Sequence, residues 1–195
     1  MTDLSTLQEN IKSEDYELRE EACKGLIDYP EEGIPLLIEC FKDKNPYVRF
    51  QAAKSLAEIG TDSIQPLISA LQEDDTQVQK YVIVALKDIG DDTVGEQLIE
   101  SLKSDNFAIR KFSAKALGEM EVSEAVDPII ELLEDDDWGV RTSAANALGN
   151  LKEERAIEPL KTARRLAKGD KEFKKVATKS IKKINPNALK RKKKS

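Results

Sequence analysis

The sequence predicts an all-α superhelix, a solenoid of about five to six pairs of short helices. Three observations support this prediction. A branched apolar residue followed by Arg or Gln recurs at spacings of 30, 30, 31 and 31 residues, from Leu18 to Val140. A string of apolar residues with helical spacing follows this position, as in Ala144 to Leu148. Charged residues make up 35% of the chain and aromatic residues only 5%, which suits helical repeats.

A proline is predicted to mark the first turn of the first helix in each pair. Proline is tolerated in the first turn of a helix, because its missing N–H is not needed there. These prolines are Pro35, Pro66, Pro128 and Pro159, and the third full repeat has Gln97 in their place. Glycine commonly follows the last turn of a helix, so Gly60 and Gly90 are predicted to end the second helices.

The second helix of each pair is predicted to begin at an Asp or Asn. These side chains accept hydrogen bonds from the free N–H groups of the first turn. They lie three residues before the repeated apolar position, at Asp15, Asn45, Asp75, Asn106 and Asp137. The arginines that follow the apolar position are expected to be structural, forming a ladder with an Asp or Asn of the neighbouring repeat.

The predicted organisation has three parts. Residues 1–168 form the repeat solenoid, 169–186 a capping helix and 187–195 a basic, disordered tail. From Lys152 onward there are 17 Lys and Arg against 5 Asp and Glu, a net charge of +12. The preceding residues carry a net charge of -18, so the two parts are expected to meet different surfaces.

Composition excludes several classes of function. The chain contains no histidine, which removes Ser–His triads and nearly all catalytic zinc and non-haem iron sites. Cys23 and Cys40 lie at apolar positions and are expected to be small buried residues. We therefore expect no enzymatic activity, no cofactor and no metal. No apolar run approaches the roughly 20 residues of a membrane span, and no signal peptide is evident, so the expected location is cytoplasmic.

Two strings carry a resemblance to a known family. They are Val48-Arg49-x-x-Ala52-Ala53-x-x-Leu56-x-x-Ile59-Gly60 and Asp137-x-x-Val140-Arg141-x-x-Ala144-Ala145-x-Ala147-Leu148-Gly149. Over about residues 1–185 the chain resembles the short HEAT-like repeats of phycobilin lyase subunits and small archaeal HEAT-like proteins. The resemblance implies an α-helical scaffold. Similar repeats form deoxyhypusine hydroxylase, but its iron site needs His-Glu pairs, which this chain lacks.

Seven of the ten aromatic residues fall at variable positions of the second helices, which line the concave surface of such a solenoid. Aromatic side chains are favoured at recognition surfaces. With the interleaved lysines, the predicted protein-binding residues are Tyr16, Tyr47, Phe50, Lys54, Lys80, Tyr81, Phe107, Lys111, Phe112, Lys115 and Trp138. The leading hypothesis is a non-enzymatic interaction scaffold whose concave face binds a protein or peptide, with an acidic or amphipathic segment as the ligand.

Two alternative functions stay open at this point. The basic C-terminal segment predicts binding of nucleic acid or a ribosome through Lys174, Lys175, Lys179, Lys182, Lys183 and the tail. The resemblance to phycobilin lyases implies an accessory subunit of that kind, although no chromophore-handling residue is identifiable from spacing. The oligomeric state is open.

Overall fold

The computed structural model describes residues 2–190, which form helices joined by short turns, with no strand in this range. The chain divides into two compact units, Met1–Val94 and Gly95–Ser195. Each unit contains three helix pairs. The six pairs agree with the all-α repeat fold predicted from the sequence period.

Unit 1 contains the helices α1 to α6. The second helices α2, α4 and α6 stand side by side, with α4 packed against both of the others. Their first-helix partners are α1, α3 and α5. The bounds are α1 Leu4–Asn10, α2 Tyr16–Gly25, α3 Pro30–Glu39, α4 Pro46–Ile59, α5 Ile64–Ala70 and α6 Thr76–Ile89. The core contains Leu37, Val48, Leu56 and Leu86, which are fully buried.

Unit 2 repeats this arrangement with the helices α7 to α12. Here α10 is the central second helix and packs against α8 and α12. The bounds are α7 Gly95–Glu100, α8 Phe107–Glu119, α9 Val126–Glu131, α10 Trp138–Leu151, α11 Ile157–Leu166 and α12 Lys171–Ile184. Leu98, Leu117, Ile129, Leu148 and Phe173 are fully buried in its core.

The predicted starts of the second helices are confirmed. The side chain of each predicted Asp or Asn accepts a backbone N–H from the first turn, at 2.8 to 2.9 Å for the shortest bond in each case. Asp170 caps α12 in the same way, accepting from the Phe173 N–H at 2.8 Å. These caps satisfy donors that would otherwise be unpaired, so the sequence sets each start locally.

Four second helices are followed by a residue with a positive φ angle. Gly60 and Gly90 have φ angles of 85° and 70° at the predicted helix ends, and only Gly90 is in the left-handed helical region. Lys152, directly after α10, and Glu121, two residues after the end of α8, have φ angles of 58°. Because a non-glycine residue pays a steric cost at positive φ, the fold and not the residue type imposes this angle at Glu121 and Lys152.

The proline prediction holds for three of the four residues. Pro66, Pro128 and Pro159 are each the third residue of a helix that follows a short 3₁₀ turn. Pro35 is different, because α3 already begins at Pro30 and Pro35 is its sixth residue. The Gly33 N–H donates to the Tyr29 carbonyl at 2.7 Å, so α-helical hydrogen bonding begins earlier in this repeat, directly after the 3₁₀ turn Leu26–Asp28.

Leu18 departs from the pattern of its repeat. The corresponding residues Val48, Val78 and Ile109 are buried, whereas Leu18 is 43% exposed. It lies beside a cavity of about 380 Å³ at the first helix pair, together with Leu7 and Ala22.

The C-terminal helix α12 lies inside the range predicted for a cap. Residues 187–190 follow it in turns, with the Ala188 N–H bonded to the Asn185 carbonyl at 3.1 Å. The remainder of the predicted tail, residues 191–195, lies outside the described residues. None of the described helices is both long and apolar enough to span a membrane.

Candidate binding surfaces and the arginine ladder

One arginine of the predicted ladder binds an acid of the next repeat in each unit, and this acid is not the capping residue that was expected. In unit 1, Arg19 makes two hydrogen bonds to Asp43, from Nε to Oδ2 at 2.6 Å and from Nη2 to Oδ1 at 2.9 Å. Its Nη1 also donates to the carbonyls of Ser13 and Glu14. The guanidinium therefore joins its own loop to the next one, 24 residues further along the chain.

Unit 2 contains the same arrangement. Arg110 binds Asp135 through Nε at 2.7 Å and Nη2 at 2.9 Å, and its Nη1 donates to the carbonyls of Ser104 and Asp105. Both acids lie two residues before a helix-capping Asp or Asn, so the capping residues themselves are not the partners. The sequence signal that could have found them is an Asp two residues before the cap.

Hydrogen bonding changes the pKa of both acids. Burial raises the pKa of Asp135, but hydrogen bonds from Arg110 and from the Asp137 N–H, with the charges of Arg110 and Arg141, outweigh it. The pKa of Asp135 therefore lies below the ordinary value of 3.8. The pKa of Asp43 is lowered in the same way by Arg19 and the Asn45 N–H.

Tyr81 is a correction to the predicted binding residues, because the expectation that it is exposed is wrong. It is only 8% exposed. Its ring stacks on Phe41, with 5.8 Å between ring centroids, and the Arg49 guanidinium lies 5.6 Å from its centroid. The acid aligned with Asp43 in the next loop is Glu73, which pairs with Lys42 and not with Arg49. The Tyr81 ring covers this arginine instead, through a cation–π contact.

In unit 1, the other predicted aromatic residues are exposed. Tyr47 is 66% exposed, and Tyr16 and Phe50 are also exposed. The rings of Tyr16 and Tyr47 come from neighbouring second helices, and their centroids are 6.5 Å apart. Lys54 is exposed one turn beyond Phe50. We call Tyr16, Tyr47, Phe50 and Lys54 the unit 1 aromatic surface.

In unit 2, Phe107 and Trp138 are each the first residue of a second helix and are about half exposed. Phe112 is half-buried, and the Lys111 ammonium lies 5.2 Å from its ring centroid. Lys115 is exposed and lies 3.8 Å from Glu119. We call Phe107, Lys111, Phe112, Lys115 and Trp138 the unit 2 aromatic surface.

Lys80 differs from the other predicted lysines. It is half-buried, and its ammonium lies 5.1 Å from the centroid of the Tyr81 ring. This contact places it with the buried Tyr81 and Arg49 cluster of unit 1. The contact with Tyr81 is therefore an alternative to partner binding as the reason for a lysine at this position.

The cysteines lie where the sequence predicts. Cys23 and Cys40 are both buried and free. The neighbouring Cys40 thiol and burial raise the pKa of the Cys23 thiol, which disfavours the reactive thiolate. In the described part of the chain, no group of three or more Cys, Asp or Glu side chains is arranged to hold a metal ion.

The repeated helix pairs agree with the result of comparing the sequence with known protein families. A family profile for HEAT repeats matches residues 4–87, 35–114 and 95–182. The chain belongs to the HEAT repeat family. Comparison with curated protein sequences gives no match.

Solved structures share this HEAT repeat fold at low sequence identity. The complex of CpcE and CpcF of phycocyanin lyase from Nostoc sp. PCC7120 is similar with a TM-score of 0.69 and 20% identity, covering 77% of this chain and 98% of that chain. A designed armadillo repeat protein in complex with the peptide (KR)4 has a TM-score of 0.54 and 18% identity, covering 94% and 100%. Human deoxyhypusine hydroxylase has a TM-score of 0.54 and 15% identity, covering 91% and 83%. At these identities the likeness shows the fold alone.

Proposed function

We propose that this HEAT repeat protein is a non-enzymatic scaffold that binds a protein or peptide through its aromatic surfaces. The observation that supports the proposal is the exposure of Tyr16, Tyr47, Phe50, Phe107 and Trp138 on second helices. Large exposed aromatic side chains cost solubility and are enriched among the residues that dominate binding energy. The scaffold does not need them, since the leucines and alanines of the repeat already fill the core.

Charge supports one class of partner. Lys54 and Lys115 are exposed beside the aromatic residues, and Lys111 lies against Phe112. A segment with apolar anchors and acidic residues complements such a surface, because the lysines steer it while the rings bury its apolar groups. A designed armadillo repeat protein of similar fold is known in complex with the basic peptide (KR)4. This relation supports peptide binding as a mode for the fold, with the opposite sign of charge here.

Removing one ring from each aromatic surface is expected to abolish partner capture. The test variant carries Tyr47→Ser and Trp138→Ser, and partners are captured from lysate of the source cell at low and high salt. Because truncating a central aromatic residue costs about 2 kcal/mol or more, we expect at least a tenfold loss for each ring that contacts the partner.

The matched control carries Leu18→Ser, which removes a large exposed apolar residue outside both surfaces. A partner retained by the control and lost from the test variant at both salts supports the proposal. Equal recovery by both variants, or loss from the control alone, shows that the aromatic surfaces are not the binding site.

A second candidate function has its own observation on α12. Lys171, Lys175, Lys179 and Lys182 form one exposed row along the helix, and none of them makes an ion pair within residues 2–190. Lysines four residues apart repel each other and destabilise a helix by about 0.2–0.5 kcal/mol per pair. Other helices instead place an acid at this spacing, as in Glu20 and Lys24. A row that costs stability supports binding of a polyanion such as nucleic acid.

Binding of an oligonucleotide tests this candidate. We expect a labelled single strand to bind with an affinity that falls steeply between about 50 and about 200 mM salt. Changing the four lysines of the row to Gln lowers the slope of log K against log salt by about 0.7 for each phosphate that the protein no longer neutralises. Lys12→Gln and Lys44→Gln, exposed lysines of unit 1, serve as the control. If the variant without the four lysines has the same slope of log K against log salt as wild type, α12 is not the binding site.

A further inference from the structure

Arg141 occupies the ladder position of α10, and its surroundings differ from those of Arg19 and Arg110, which each bind a carboxylate of the next loop. Its Nη1 donates to the carbonyls of Asp135 and Asp136 at 2.6 and 2.9 Å. The same group of Arg110 is held by the two corresponding carbonyls of its own loop. The loop therefore fixes the orientation of both guanidinium groups in the same way.

The acid that completes the ladder elsewhere is absent from the next loop. Asp43 and Asp135 lie two residues before the caps Asn45 and Asp137, and the residue two before Asp170 is Lys168. Within the described residues, no carboxylate forms an ion pair with the Arg141 guanidinium. Its Nε and Nη2 edge, which binds Asp135 in the case of Arg110, is left without a protein acceptor.

Arg141 lines a cavity of about 590 Å³, together with residues of the α9–α10 loop and the α11–α12 loop. Its apolar walls are Leu133, Ala163, Leu166, Ala167 and Phe173. Leu166 is 60% exposed and therefore offers apolar surface to a ligand in this cavity. Gly169, which lies between the lining residues Lys168 and Asp170, has a φ angle of 85°. A cavity of this size accommodates a small organic molecule or a few peptide residues.

The charges of the lining select a ligand with a single negative charge. Asp135 is already neutralised by Arg110, and Asp170 is bound to the N–H of Phe173. Glu134 and Asp136, which also line the cavity, are exposed and carry negative charges, and Lys168 adds an exposed positive charge to the lining. The two acids repel a phosphate or another multiply charged anion, whereas one carboxylate matches the planar fork of one arginine.

We infer that this cavity binds a carboxylate attached to an aliphatic group, with the carboxylate on Nε and Nη2 of Arg141 and the aliphatic group against Leu133 and Leu166. Two sources supply this chemistry. One is a free small carboxylic acid. The other is a peptide that presents an acidic side chain or its terminal carboxylate next to an apolar residue. The residues that line the cavity are not part of the aromatic surfaces. The inference can therefore be tested independently of the function proposed above.

The first test uses wild-type protein and the probe 4-methylpentanoate, followed by two-dimensional ¹⁵N–¹H NMR. We expect chemical-shift changes confined to residues 133–141 and 163–173. The neutral amide of the same acid and acetate are expected to bind at least tenfold more weakly, because one lacks the charge and the other the aliphatic group. Equal binding of the acid and its amide, or shift changes elsewhere, overturns the inference.

Two peptide pairs distinguish the sources. Acetyl-Ala-Leu with a free carboxylate is compared with its amide, and amidated acetyl-Ala-Leu-Asp-Ala with its Asn counterpart. Tighter binding of an acidic peptide than of 4-methylpentanoate indicates a peptide ligand, and the reverse order indicates a small acid. If every acid binds no better than its neutral counterpart, the inference is wrong.

Variants assign the binding to the named residues. Arg141→Gln removes the charge, Arg141→Lys keeps it without the fork, and Leu166→Ser removes one apolar wall. Each is expected to weaken 4-methylpentanoate binding, by at least tenfold for Arg141→Gln. Arg165→Gln, an exposed neighbour that does not line the cavity, is the control and is expected to bind as wild type does. Unchanged binding by a folded Arg141→Gln variant places the ligand elsewhere.

Discussion

Replacing Gly118 with Ala is expected to destabilise unit 2 by about 3 kcal/mol, near the upper end of the usual cost of overpacking. A Cβ atom at this position would lie 2.5 Å from the Cα and 2.6 Å from the Cβ of Ala147. These are atoms of the neighbouring helix α10 that no side-chain rotation can move. Helix propensity alone predicts the opposite sign, since Ala stabilises a helix by about 1 kcal/mol relative to Gly. Packing outweighs propensity here because α8 and α10 have to separate.

Urea unfolding of the two proteins measures this difference. Gly95→Ala is the matched control, because Gly95 is also a buried helical glycine, and its new Cβ would meet Val122 at an ordinary distance of 3.4 Å. We expect the control to change the free energy of unfolding by about 1 kcal/mol or less. If Gly118→Ala and Gly95→Ala behave alike, the close approach of α8 and α10 is not present in solution.

A second substitution in the neighbouring helix tests whether the clash with Ala147 causes the loss of stability. Adding Ala147→Gly to Gly118→Ala removes the clash with the Ala147 Cβ but leaves the clash with its Cα. We therefore expect partial recovery, and a double-mutant cycle isolates the coupling between the two positions.

The glycines show which features of this fold can be predicted from the sequence and which cannot. The role of Gly60 and Gly90 was predictable, because a helix end is a local feature marked by a change in the apolar pattern. The role of Gly118 was not, because it depends on how closely Ala147, 29 positions further along, approaches it. Helix starts were likewise predictable from the caps, whereas the early start of α3 at Pro30 depends on the turn that precedes it.

The candidate binding residues also include some whose environment was predictable from the sequence and some whose environment was not. The period placed Tyr47, Phe50 and Trp138 correctly at exposed positions of second helices. It could not reveal the burial of Tyr81, which depends on Phe41 and Arg49 from another helix pair. The acids of the ladder were missed because Asp appears two residues before the cap in only some of the loops. A periodic signal identifies repeated positions, but side chains that vary between repeats need the three-dimensional contacts.

Loss of the Asp135 carboxylate is the second large effect expected. Asp135→Ala leaves Arg110, whose side chain is only 17% exposed, without its bidentate partner. Removing one partner of a largely buried ion pair strands the other charge, so we expect a loss of about 3 kcal/mol in the free energy of unfolding at neutral pH. Asp136→Ala is the control, because the exposed Asp136 uses only its backbone carbonyl to bind Arg141.

The effect of pH distinguishes the carboxylate from a simple packing change. Because the pKa of Asp135 is lower in the folded than in the unfolded state, its stabilisation is complete above the ordinary value of 3.8. It is lost as the pH falls through the lowered pKa of the folded state, where the proton removes the charge that faces Arg110. The difference between wild type and Asp135→Ala is therefore expected to shrink as the pH falls below 3.8, measured by urea unfolding at a series of pH values. A difference that stays constant over the whole acid range would mean that Asp135 stabilises the loop through its shape and not through its charge.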